Sequence, residues 1–166
     1  MNVLVIQGAN LQFLGRREPH LYGTTTAQEL DAILRRKARE LGLSLDIRYT
    51  NVEGVAITWI YEAVDAGCRG LLMNPAGFTY AGYALRDCLR AVPLPCVEVH
   101  LTNIEARGFH SVTAPAAQGV ITGLGVQSYL LGLEALHGIL TANAGQALPA
   151  RPAKPRRAKP SARRRG

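Results

Sequence analysis

Two arginines, a carboxylate and a tyrosine lie close together in Arg16-Arg17-Glu18-Pro19-His20-Leu21-Tyr22. An arginine beside a tyrosine is a way to make a phenolate. A phenol ordinarily ionises near pKa ~10, and a neighbouring cation favours its charged form. Ionisation near neutrality takes a shift of roughly 2–3 units, about 3–4 kcal/mol. One desolvated arginine contact could supply much of that. The alternative is a solvated basic loop whose tyrosine packs as an anchor. The stretch from Gln7 to Gly23 is long for a connection within a compact domain, and such loops are functional or disordered. Its charge and its tyrosine are not those of a linker.

Regular elements must hold that loop in place. A short apolar strand, Val3-Leu4-Val5-Ile6, precedes it within an expected strand from Asn2 to Ile6. The capping box Thr26-Ala27-Gln28-Glu29 opens a helix after it, with Leu30, Ile33, Leu34, Ala38 and Leu41 at helical spacing and Gly42 as its stop. Ser44 to Tyr49 reads as a second strand. Val55, Trp59, Ile60, Ala63 and Val64 mark a second helix ending at Gly67. Gly70 to Met73 is apolar enough for a strand buried on both faces. A helix from about Ala81 to Ala91, a strand from Cys96 to Val99, a short strand at Val120-Ile121-Thr122 and a helix from about Val126 to Leu140 complete the alternation. Right-handed crossovers through helices then imply a doubly wound parallel α/β sheet of flavodoxin-like order 2-1-3-4-5.

The net charge of +7 is misleading about the fold. Eight basic residues lie between Arg151 and Arg165, and no acid lies beyond Glu134. Residues 1–141 carry eleven basic and twelve acidic groups and are near neutral. From Ala142 onward there is no Ile, Val, Phe, Tyr or Trp, and four prolines interrupt any helix. The expectation is one domain over 1–141 and a disordered basic tail over 142–166, with enough charge to touch polyanions weakly. Cys68, Cys88 and Cys96 are odd in number, have no paired C-x-x-C spacing and sit in apolar surroundings. They read as core thiols in a reducing, cytoplasmic compartment. Neither a signal peptide nor a membrane-spanning apolar run is visible, so no membrane partner is expected.

In a sheet of order 2-1-3-4-5 ligands bind beyond the carboxyl ends of the strands, near the switch point between strands one and three. The polar residues there are Asn10, Asn74, and Glu98, His100 and Thr102. An isolated Asn at a strand end is usually a cap or turn residue. Several converging on one mouth below an Arg/Tyr loop describe a site.

The segments GANLQFLGRREPHLYG, LLMNPAGFTYAGYALRD, VEVHLTN and GVITGLGVQSYLLGL, in this order, resemble the type II 3-dehydroquinate dehydratases across residues 1–141. The resemblance implies dehydration of 3-dehydroquinate to 3-dehydroshikimate through an enolate, without cofactor or metal. Tyr22 matches the base, and Arg17 the arginine that holds it as phenolate. Asn10 matches the residue that helps a water stabilise the enolate oxygen, and His100 the general acid. Asn74 and Glu98 match residues that bind substrate and orient the histidine. Leu101 and Thr102 match the pair that holds the substrate carboxylate, and Arg107 an arginine after the strand-four turn. Asp87 matches an aspartate that reaches a neighbouring subunit's site in trimers that assemble into dodecamers. Abstracting a proton next to a ketone needs a poised base and a donor for the oxyanion. Expelling hydroxide needs an acid, and an imidazole titrating near ~6.5 suits that task.

Two positions depart from the family pattern. Tyr80 stands where the family has a substrate-binding histidine. The loop after Arg107 is shortened to Gly108-Phe109-His110-Ser111, which sets His110 roughly where a second substrate arginine is expected. Both changes bear on affinity and substrate choice. Two other functions compete with the dehydratase. One is a catalytically weakened relative that binds a cyclic polyol acid as sensor or scaffold. The other is a flavodoxin-like nucleotide binder, which lacks both G-x-G-x-x-G and Walker A elements. The residues leave open whether the reaction serves aromatic biosynthesis or quinate catabolism.

Overall fold

The helix after the arginine–tyrosine segment begins at its capping box. In this computed structural model, which describes residues 1–142, Thr26 Oγ1 accepts from the Glu29 amide at 3.2 Å and Glu29 Oε2 accepts from the Thr26 amide at 2.8 Å. Two otherwise unpaired donors are thereby satisfied. The helix that results, α2 (Ala27–Glu40), follows a single turn, α1 (Pro19–Tyr22), and ends before Gly42 in the left-handed region at φ 67°. The Leu43 amide there donates back to the Ala38 carbonyl at 2.8 Å.

Five parallel strands, β1 (Asn2–Ala9), β2 (Ser44–Tyr49), β3 (Gly70–Ala76), β4 (Cys96–His100) and β5 (Gly119–Thr122), lie in the order β2-β1-β3-β4-β5. This is the flavodoxin-like arrangement expected from the alternation of elements. Three strands run further than their apolar stretches suggest. The β1–β3 ladder continues through Gln7 opposite Asn74 and Ala9 opposite Ala76, and β4 extends to His100 opposite Thr122. Backbone pairing does not end where apolar side chains end, so the ladders carry polar residues to the mouth of the sheet.

Helices α3 (Glu53–Asp65), α4 (Tyr83–Ala91) and α5 (Val126–Ala142) complete the two covering layers. On one face Leu30, Leu34, Tyr129, Leu133 and Leu136 pack on Val3, Val5, Leu72, Val97 and Val99. On the other, Ala56, Ile60, Leu85 and Leu89 pack on Leu4, Ile6, Leu71 and Met73. Helix α4 starts two residues later than expected, because Gly77–Tyr80 forms its own tight turn. Gly82 offers no side-chain cap, and Glu53 of α3 supplies one, its Oε1 accepting from the Leu85 amide at 2.8 Å. Helix α5 runs to Ala142, two residues past the expected end; the remainder of the expected tail, 143–166, lies outside the described residues.

Contact between α5 and the sheet depends on Gly132. A Cβ there would meet Val99 Cγ1 at 2.7 Å and Leu72 Cδ1 at 2.8 Å. Gly132→Ala is therefore expected to destabilise the domain by about 1–3 kcal/mol, the usual cost of overpacking a filled core. Urea unfolding should show a lower midpoint at unchanged slope. All three cysteines are free thiols, with Cys88 and Cys96 buried, and burial pushes both of those thiols up. No helix among the described residues is long and apolar enough to cross a membrane.

Candidate active site

The segment from Asn10 to Gly23 is pinned by its apolar residues and turned by its glycines. Leu11 and Leu14 are buried, and a tight turn spans Leu11–Phe13. Gly15 takes φ 80°, where a Cβ would press on the Thr24 carbonyl, and Gly23, also at φ 80°, stops α1 directly after Tyr22. The segment expected as an open loop thus contains two short helical turns, which fix Tyr22 over the carboxyl ends of the strands.

One cavity at that end is lined by Asn10, Arg17, Tyr22, Asn74, Tyr80, His100, Leu101, Thr102 and Arg107, among others. Nine of the eleven residues singled out from the sequence therefore meet there. Glu98 lies directly behind His100. Asp87 does not join them: it is exposed on α4 and does not line the cavity.

Tyr22 carries two guanidiniums. Arg107 Nη1 donates to its hydroxyl at 3.1 Å, and Arg17 Nη2 does so at the longer distance of 3.5 Å. Arg17 also stacks on the ring, 4.9 Å from its centroid, and pairs with Glu18 at 3.3 Å. Arg107 donates further to Thr102 Oγ1 at 3.0 Å and stacks on Phe109. The sequence pointed to Arg17 as the partner of Tyr22. The shorter contact belongs to Arg107, 85 residues away along the chain, a proximity that local spacing does not reveal.

Facing the same cavity, His100 is 4 % exposed and Glu98 is completely buried. Glu98 Oε1 lies 2.7 Å from His100 Nε2, which leaves Nδ1 as the ring nitrogen available to a ligand. The second carboxylate oxygen accepts from Thr113 Oγ1 at 2.6 Å. Thr113 lies 2.9 Å from Ser111 Oγ, which itself accepts from the Thr113 amide at 3.3 Å. The donors form a single-direction chain that ends on the carboxylate. Thr113 carries no signal in the sequence, where an isolated hydroxyl in a loop is ordinary, and Ser111 stands out there only as the end of the shortened loop.

The shortened loop behaves differently from expectation. His110 does not occupy a substrate position: its side chain is 87 % exposed and its Nδ1 pairs with Glu105 at 2.6 Å. Phe109 lines the cavity instead, with its ring centroid 5.1 Å from that of the exposed Tyr80. The loop thus presents its polar residue outward and its apolar one to the cavity. No group of three His, Cys, Asp or Glu side chains among the described residues is placed to hold a metal ion.

Backbone strain concentrates around the cavity. Asn10 at φ 75° and Ala76 at φ 47° are non-glycine residues in the left-handed region, and both line it. Such conformations cost about 1–3 kcal/mol each and persist where surrounding structure over-determines them.

A tyrosine held by guanidiniums and a buried histidine–carboxylate pair share the mouth of a flavodoxin-like sheet. They define an α/β enzyme equipped for proton transfer. Comparison with known proteins narrows that class. The family described as dehydroquinase class II matches residues 1–137. The chain is 49% identical over 134 residues to the 3-dehydroquinate dehydratase of Thermus thermophilus, covering 79% of this chain and 90% of that protein. It is 44% identical over 137 residues to the enzyme of the same name from Mycobacterium leprae, covering 81% and 94%. The crystal structure of the type II dehydroquinase from Propionibacterium acnes superposes with a TM-score of 0.78 at 41% identity, covering 82% of this chain and 96% of that one. The chain belongs to the type II dehydroquinase family.

Proposed function

We propose that this protein dehydrates 3-dehydroquinate to 3-dehydroshikimate through an enolate. The observation that carries this reading is the placement of the guanidinium-bound Tyr22 and the Glu98-bound His100 on one cavity. Tyr22, as phenolate, takes the proton next to the ketone, and the C–H electron pair moves into the enolate. Asn10 and a water hold the enolate oxygen. The enolate then collapses, the carbon–oxygen bond of the leaving hydroxyl breaks, and His100 Nδ1 supplies the proton that releases it as water. The tyrosine's proton returns to the histidine through solvent, so the substrate loses one water and the protein is unchanged.

Asn74, Leu101 and Thr102 hold the substrate hydroxyls and carboxylate, with Tyr80 at the rim and Arg107 reaching both Thr102 and Tyr22. The hydroxyl of Tyr80 has no hydrogen-bond partner among the described residues, whereas its ring rests on Phe109. Tyr80→Phe is therefore expected to change KM by less than about threefold and to leave kcat in place. Exposed Asp87 serves the site of an adjacent copy in a trimer that builds to a dodecamer. Free thiols in the core suit a reducing, cytoplasmic setting.

The decisive experiment mixes purified protein with 3-dehydroquinate and follows ultraviolet absorbance of the conjugated enone product. A flat trace from folded protein overturns the proposal. The route is not an imine. Lys37, the only lysine among the described residues, bridges from α2 to Glu134 of α5 at 2.5 Å, and that partner pushes its ammonium further up. A catalytic lysine is instead desolvated and driven toward neutrality. Borohydride with substrate should leave both mass and activity unchanged, and a reduced adduct on Lys37 would sink this mechanism.

A further inference from the structure

Asn74 is held from behind by two residues that no part of the proposed mechanism uses. Its Nδ2 donates to Tyr129 Oη at 2.8 Å, and that hydroxyl donates to Gln7 Oε1 at 2.6 Å. Gln7 and Tyr129 are fully buried and Asn74 is 3 % exposed. These side chains come from β3, from α5 and from β1, so they join one covering helix to two neighbouring strands of the sheet.

The direction of each bond is determined. The Ala76 amide, which can only donate, lies 3.1 Å from Asn74 Oδ1, so the Asn74 amide group presents Nδ2 to Tyr129. Tyr129 spends its single proton on Gln7 and receives the Asn74 proton on its oxygen. Burial pushes the Tyr129 phenol up, so it remains a neutral donor. One Nδ2 proton of Asn74 is committed to Tyr129, and the other is the one free for a ligand in the cavity. Asn74 Oδ1 meanwhile holds the amide of Ala76, whose left-handed backbone forms part of the cavity wall. Gln7 Oε1 is the acceptor to which the Tyr129 hydroxyl is directed, and Gln7 Nε2 has no hydrogen-bond partner among the described residues.

We propose that Tyr129, oriented by Gln7, is a positioning residue that locks the Asn74 amide and the Ala76 turn in their substrate-binding geometry. An unlocked amide rotates between two faces, and only one of them presents a donor to the cavity. The kinetic consequence rests on the dehydratase reading above; the structural consequence does not.

A double-mutant cycle on the full chain tests this. Tyr129→Phe alone should raise KM roughly tenfold with kcat changed less than about threefold, since one buried donor loses its acceptor. In an Asn74→Ala background the same substitution should change kcat/KM by less than about twofold, because Tyr129 then has nothing to position. Equal losses in both backgrounds would assign Tyr129 to general packing and overturn the proposal. So would an unchanged KM in the single variant. Should Tyr129→Phe fail to fold, Gln7→Met keeps the tyrosine and frees its hydroxyl, and should give a smaller rise in KM that also vanishes without Asn74. Hydrogen exchange of the Asn74 side-chain amide, followed by NMR, needs no turnover. It should be slow in the wild-type protein and faster in either variant. Fast exchange in the wild type overturns the lock even if the enzyme is active, whereas slow exchange with a flat absorbance trace overturns the dehydratase reading alone.

Discussion

Tyr22→Phe is expected to lower kcat by about 10³-fold or more while leaving the fold and substrate affinity nearly intact, the scale set by loss of a positioned general base. The phenylalanine ring preserves the surface on which Arg17 stacks and removes only the oxygen to which both guanidiniums donate. Both guanidiniums donate to that oxygen, and neither arginine is fully exposed. Replacing either should lower kcat with the tyrosine still in place. Arg107→Ala should cost more than Arg17→Ala, because its contact is the shorter at 3.1 Å against 3.5 Å. The measurement is the steady-state kcat of each variant. If Tyr22→Phe retains near-full turnover, another residue is the base and the residue-by-residue transfer from the family fails at its central point.

The ranking of the two arginines also marks what the sequence could and could not convey. Strand order was legible because apolar runs alternate with capped amphipathic helices, and right-handed crossovers leave few topologies for that pattern. Thr26 and Glu29 announce a helix start because both halves of the capping device lie within four residues. Contacts that close across the fold leave no such trace. Arg107 meets Tyr22, Glu53 caps α4, and Tyr129 meets Gln7 at separations of 85, 32 and 122 residues. The lengths of the strands were misjudged for a related reason. Apolarity reports burial, whereas the β1–β3 ladder is held by backbone hydrogen bonds that continue through Gln7 and Asn74. Likewise Phe109 and His110 are neighbours in a short loop, and only the turn of the chain decides which of them faces the cavity.

Glu98→Gln should lower kcat by about 10²-fold or more, the usual contribution of a correctly held general acid, with little change in side-chain volume. The effect runs through His100. In the native arrangement Glu98 accepts from Nε2 on one oxygen and from Thr113 on the other, so a carboxylate stands against any imidazolium that forms. A glutamine must satisfy the same Thr113 hydroxyl, which can only donate to its oxygen while Ser111 donates to Thr113. Its NH₂ group then faces His100 Nε2, which must become an acceptor. The proton moves to Nδ1 in the neutral ring, and the charge that balanced the imidazolium is gone. The ring then lacks both its native tautomer and its carboxylate partner. Thr113→Val, which removes a donor but keeps the carboxylate against His100, should cost less than about tenfold in kcat. The unequal losses, read from steady-state kinetics, separate an orienting carboxylate from one that merely fills space. If both variants keep the native kcat, the buried pair contributes stability alone.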